Sequence, residues 1–180
     1  MVRAFTEQGV SVEVLDRVLG AALAAPSAGN VQAVDLLVID EPARYWAITL
    51  PDPSSFRWQG LLRAPVLVVP VVAPSSYASR YAEADKAAAG LGAVERWSVP
   101  YWWVDGGMAV EALLLACVAE GLGACFFGLF EHERAVLDTF GVPSDRRALG
   151  TIALGHPAPD TPGRSASRAV RRDRVHRGVW

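Results

Sequence analysis

Four short apolar runs rich in β-branched or aromatic residues, 34–40, 65–72, 124–127 and 149–155, alternate with stretches of helical spacing, and this alternation limits what the chain can build. Each run is read as a strand. The first and last are read as buried and the second as central, although Pro70 inside it implies an edge, a bulge or an early end. Between them, Val12, Leu15, Val18, Leu19, Ala22 and Leu23 recur at three- and four-residue spacing, so one face of a helix is apolar up to Pro26. Ser11 is its expected N-cap, with Glu13 in the first turn where negative charge is favoured.

Further helices are expected over 42–50, 106–120 and 131–140, the second of these capped by Asp105. That helix is apolar on nearly every side, which places it in a core or an interface. Residues 50–60 read as loop. The connection 73–99, with Tyr77, Arg80, Tyr81, Asp85 and the only lysine, Lys86, is long enough to carry some helix and a lid or binding role. It is the candidate for substrate choice.

A chain of 180 residues suits one domain, 1–180, and its 52% apolar content exceeds that of an average soluble domain. The surplus is what an extensive subunit interface requires. No run reads as a bilayer span and no signal peptide opens the chain, so a cytoplasmic protein away from membranes is expected. A net charge of −2 argues against a nucleic-acid surface, although arginines crowd the C-terminus. Cys117 and Cys125 lie in apolar surroundings and read as reduced core thiols, and no metal site is expected.

No side-chain constellation for catalysis appears either. His132, His156 and His176 are scattered, and no nucleophile elbow, zinc helix or dinucleotide fingerprint is present. An enzyme of this kind needs a cofactor to perform the hard step. The polar stretch Ala25-Pro26-Ser27-Ala28-Gly29-Asn30-Val31-Gln32 is where one would be held. Pro26 ends the helix, Gly29 and Asn30 tolerate left-handed dihedrals, and Ser27, Asn30 and Gln32 both donate and accept. That inventory suits a planar heterocycle with alternating N–H and C=O groups, such as a flavin.

The stretch resembles the flavin-contacting loop of the nitroreductase family, A-P-S-x-x-N-x-Q-P-W, with Ala33 and Val34 in place of the final Pro-Trp. Val2, Arg3 and Phe5 are similar to the end of the family's R-R-S-V-R-x-F motif, with Met1 at the serine position and the upstream arginine missing. The order G-L-G, strand, helix, G-V-P and A-L-G-H-P over 121–157 resembles the family's C-terminal half. The resemblance implies an α+β three-layer fold, a central mixed β-sheet flanked by helices, in an intertwined homodimer.

It further implies FMN as cofactor, NADH or NADPH as electron donor, and a nitroaromatic, quinone or similar small-molecule acceptor. The implied cofactor-binding residues are Arg3 and Arg168 at the phosphate, with Arg171 or Arg172 as substitutes for the latter, and Pro26, Ser27, Ala28, Asn30 and Gln32 around the ring. Gly128 and Leu129 would present a backbone amide near N5. No residue is expected to be catalytic in itself. Trp102, Trp103, Phe127 and Phe130 either line the acceptor pocket or belong to the core. A flavin binder without turnover, or a flavin-consuming or deazaflavin-linked relative, is the alternative.

Overall fold

The computed structural model describes residues 1–159, 169 and 174–178. Helix α1 spans Val12–Leu23 and is followed by β1, Val34–Ile39, then α2, Pro42–Thr49, and β2, Val66–Val72. Next come α3, Pro74–Ala82, α4, Tyr101–Ala119, β3, Gly123–Phe127, and α5, Glu133–Thr139. The two-residue β4, Arg147–Ala148, and β5, Thr151–Gly155, complete the sheet. The strand order is β1-β2-β5-β3, with β4 also on β2. Every ladder among the described residues is antiparallel, so the parallel component of the expected mixed sheet is not among them.

Alternation along β2 produces the three layers. Val66 and Val68 face Val18 and Ala22 of α1 and Val110, Leu113 and Cys117 of α4. Leu67, Val69 and Val71 face Tyr45 and Trp46 of α2 and Val136 and Leu137 of α5. Because every residue of β2 is buried, it reads as a continuous apolar run rather than an alternating one. Pro70 does not break it. The proline falls between the β5 ladder, which uses 66–68, and the β4 ladder, which uses 71–72, and its carbonyl accepts the Leu149 amide at 2.9 Å. The missing N–H therefore costs no ladder bond.

Other expectations are corrected. β1 is an edge strand and mostly half-buried rather than buried. The run 149–155 is interrupted at Gly150, whose φ of 146° and contact with the Phe127 carbonyl, where a Cβ would come within 2.5 Å, turn the chain between β4 and β5. The region 50–60 contains a 3₁₀ turn at Pro53–Ser55 and leads into another at Gln59–Arg63. Helix α4 starts at Tyr101, four residues before its expected cap. Over its 19 residues it is long and apolar enough to cross a bilayer, contrary to the sequence expectation, yet one side packs on α1 and the sheet as a core helix does. Its other side is not buried: Val104, Met108, Leu115 and Val118 form an exposed apolar stripe. Cys117 and Cys125 are buried as expected, and burial pushes the Cys117 thiol up to about 11.

Candidate functional site

The end of α1 delivers the polar loop. Ser11 Oγ accepts the Val14 amide at 3.3 Å at the start of the helix, and the Ala24 amide closes on Gly20 at the other end. After Pro26 the backbone enters the left-handed region three times, at Gly29 (φ 62°), Asn30 (φ 54°) and Gln32 (φ 52°). For the two non-glycine residues this costs of order 1–3 kcal/mol each, so the surroundings must impose it.

Those surroundings are visible bond by bond. The Gln32 amide donates to Ser27 Oγ at 3.1 Å, and Gln32 Nε2 donates to Asn30 Oδ1 at 3.0 Å. Ser27 thus keeps its O–H, and Asn30 its amide N–H groups, for another acceptor. From α3, Arg80 Nε donates to the Gly29 carbonyl at 3.0 Å, while its other nitrogens are held by Asp85 at 2.7 and 2.8 Å. The Tyr81 ring lies against Gly29 so closely that a Cβ there would come within 2.8 Å of it.

The main anchor is Asp105. Its side chain is not a helix cap. It is 2% exposed, and Oδ2 accepts the Ala28 amide at 2.8 Å and the Tyr77 hydroxyl at 2.9 Å. Burial first, and then the hydrogen bond to the carboxylate, raise the Tyr77 pKa well above the ordinary phenol value, so the hydroxyl stays a donor. Asp105 Oδ1 is buried with no hydrogen-bond partner. The Asp105 residue borders a cavity of about 180 Å³ together with Pro26, Ser27 and Gln32. The Ser27 hydroxyl with its spare proton, and the Gln32 side chain beside it, suit a ligand edge carrying both N–H and C=O groups. The donor set present therefore fits a flavin ring.

The implied site residues fall in separate places on one chain. Pro26, Ser27 and Gln32 share the Asp105 cavity, and Asn30 is tied to Gln32 beside it. Ala28 borders a second cavity, about 490 Å³, with Tyr81, Leu91, Trp97 and Tyr101. Arg3 borders a third, about 450 Å³, and stacks 5.2 Å from the Trp58 ring centre. None of these three cavities is bordered by both Arg3 and the loop. The Gly128 α-carbon is covered by the Phe130 ring, where a Cβ would come within 2.8 Å, and the Leu129 side chain lies in the core beside α5. Arg168, Arg171 and Arg172 lie outside the described residues.

Of the four aromatics, Trp102 is buried beside Tyr77, and Phe127 stacks on Trp46 at 5.9 Å, so both serve the core. Trp103 is partly buried with Arg147 over its face, and Phe130 is 82% exposed. Sequence reasoning missed the anchoring role of Asp105 and its partner Tyr77. The signal was available: a carboxylate inside an apolar helix must be paired or is costly.

Comparison with known proteins fits this geometry. The nitroreductase family model matches residues 1–156, and the chain belongs to that family. A protein of Archaeoglobus fulgidus provisionally named NADH dehydrogenase/NAD(P)H nitroreductase is 24% identical over 99% of this chain and 92% of its own length. The FMN-dependent nitroreductase of Clostridium difficile superposes with a TM-score of 0.72 at 19% identity, covering 99% of this chain and 94% of its own. A provisionally named nitroreductase from Desulfovibrio desulfuricans, solved in complex with FMN, gives 0.65 at 23% identity over 91% and 85% of the two chains.

Proposed function

We propose that the protein is an FMN-dependent oxidoreductase that takes reducing equivalents from NADH or NADPH and passes them to a nitroaromatic, quinone or similar acceptor, working as a homodimer. The observation that carries this reading is the strained 27–32 loop, held by Asp105, Arg80 and Tyr81 with donors and acceptors left over for a flat ligand. Family membership supports the flavin, as do the FMN-dependent nitroreductase and the FMN complex among the structural neighbours.

FMN would supply the hydride chemistry when bound. The chain's own part is binding and electrostatics. Ser27, Ala28, Asn30 and Gln32 would grip and orient the ring, backbone around Gly128 and Leu129 would lie near N5, and Arg3 with Arg168 would meet the phosphate. Fixed donors aimed at the ring favour the form carrying extra negative charge. Donor and acceptor would use one pocket in turn, and the aromatic wall of Tyr81, Trp97 and Tyr101 beside Ala28 is the surface for a flat acceptor.

A homodimer explains two features at once. The exposed stripe Val104, Met108, Leu115 and Val118 is spaced by four, seven and three residues, so it lies along one face of α4, interrupted by the exposed Glu111, and that face is open to pack on another helix. The loop and Arg3, which share none of the cavities described on one chain, would meet across such an interface.

The test is the visible spectrum and solution mass of the freshly purified protein, followed by stopped-flow mixing with NADH and NADPH. A yellow dimer whose flavin bands bleach on mixing and return with a quinone or nitroaromatic is expected. A colourless protein that takes up no added FMN overturns the reading. Bound flavin that neither nucleotide reduces shifts it to a binder or a deazaflavin-linked relative.

A further inference from the structure

Among the described residues, Arg17, Arg80, Arg134, Arg146 and Arg147 each meet a carboxylate. Three are different. Arg3, Arg57 and Arg63 border one cavity of about 450 Å³, no acidic residue lines it, and no ion pair is recorded for any of them among the described residues. Two of these guanidinium groups are stacked on the same indole, Arg3 at 5.2 Å and Arg57 at 4.6 Å from the Trp58 ring centre. Stacking uses the flat faces and leaves the N–H edges for an oxyanion, which arginine binds in bidentate fashion.

The local fold brings them together. The Phe5 amide donates to the Gly60 carbonyl at 3.0 Å, and Gly60 lies so near the N-terminal segment that a Cβ would come within 2.7 Å of the Ala4 side chain. This close approach sets Arg3 against the 3₁₀ turn Gln59–Arg63, which carries Arg63 on its last residue. Unopposed like charges around a concave wall raise the local positive potential and draw anions in.

We propose that this cavity is an oxyanion site in which Arg57 and Arg63 join Arg3, and that its occupant is a phosphate monoester, which on the flavin reading above is that of FMN. The two added arginines would supply oxyanion contacts that Met1, at the serine position of the N-terminal motif, does not. The inference rests on the flavin reading for the identity of the occupant. The site itself rests on the arginines alone.

Titration of the whole chain with FMN, riboflavin and inorganic phosphate separates the two claims. At low salt FMN should bind at least about 30-fold more tightly than riboflavin. In Arg57→Ala/Arg63→Ala the FMN constant should weaken about 10- to 100-fold while riboflavin changes less than about twofold. The lysine pair at the same positions should recover part of the loss. These ranges follow from charge-assisted hydrogen bonds of about 1.5–3 kcal/mol. Phosphate should shift the arginine Nε resonances of Arg57 and Arg63 in the unaltered chain, a readout that holds even if a variant misfolds.

Unchanged FMN binding in the folded double variant, or equal losses for FMN and riboflavin, overturns the site while leaving the flavin reading intact. A chain that binds phosphate through Arg57 and Arg63 but neither flavin keeps the site and ends the flavin assignment. No phosphate shift at either arginine, with no preference for FMN over riboflavin, overturns the site.

Discussion

Two clefts of this molecule are built on opposite principles. The loop cleft is wired by directional bonds: Asp105 to Ala28 and Tyr77, Arg80 to Gly29, Gln32 to Ser27 and Asn30. In the arginine cleft the frame is bonded, Phe5 to Gly60, Ala158 to Ala4 and Gln59 to the Pro53 and Phe56 carbonyls, but the guanidinium groups themselves are placed by stacking on Trp58, and their charge is left without a counterion among the described residues. The first fixes shape and the second fixes potential. A ligand that touched both would be oriented by one and attracted by the other.

The largest effect that sharpens this contrast is expected in the loop cleft. Asp105→Ala leaves the Ala28 amide and the Tyr77 hydroxyl without their acceptor and should cost about 2–4 kcal/mol in urea unfolding, since each stranded buried group costs about 1–3 kcal/mol. Asp105→Asn keeps an acceptor oxygen and should lose far less. Arg57→Ala, on an exposed wall, should stay within about 0.5 kcal/mol of the parent. Equal destabilisation at 105 and 57 would erase the distinction between the clefts.

Salt gives the next effect. Raising NaCl from 50 to 500 mM shortens the screening length from above about 10 Å to a few ångströms. FMN affinity should fall about tenfold by isothermal titration, and riboflavin affinity by less than twofold. Parallel losses would mean that the arginine potential does not act on the ligand. Tyr77→Phe should cost about 1 kcal/mol, the worth of one hydrogen bond, and leave the FMN-to-riboflavin ratio unchanged. A changed ratio would show that the loop anchor also reads charge.

The smallest effect concerns an arginine that is already paired. Arg147 holds Glu133 at 2.8 Å, and that hydrogen bond, ahead of the opposing desolvation, lowers the carboxyl pKa below its ordinary value. A lowered folded-state pKa means stability present above the unfolded value, about 4.3, and lost as pH falls through the folded one. Glu133→Gln should therefore cost about 0.5 kcal/mol at pH 7 and next to nothing at pH 3, by urea unfolding at both values. A pH-independent difference would assign the loss to packing instead.

Much of the fold is legible in local spacing. The α1 stripe, the Ser11 cap and the continuous apolar run of β2 all follow from residues a few positions apart. The loop at 25–32 is legible for the same reason, because Pro26, Gly29 and Asn30 announce their own backbone. What escapes the sequence is set by partners far along the chain. Asp105 looks like a cap until Ala28, 77 residues earlier, claims its carboxylate. Pro70 looks like an obstacle until the sheet leaves a gap for it. Arg57 and Arg63 sit in or beside what reads as plain loop and gain meaning only when Gly60 meets the N-terminal segment.

Helix α3 carries a consequence for anyone who wishes to re-aim such a protein at a new acceptor. Three of its side chains clamp the strained loop: Tyr77 through Asp105, Arg80 through the Gly29 carbonyl, and Tyr81 by its ring against Gly29. On the proposed function, selectivity and cofactor retention would be mechanically joined in that helix, and exchanges there would trade one for the other. Leu91 and Val99 border the same aromatic hollow without holding the loop, which makes them the positions where the hollow can be resculpted and the grip kept.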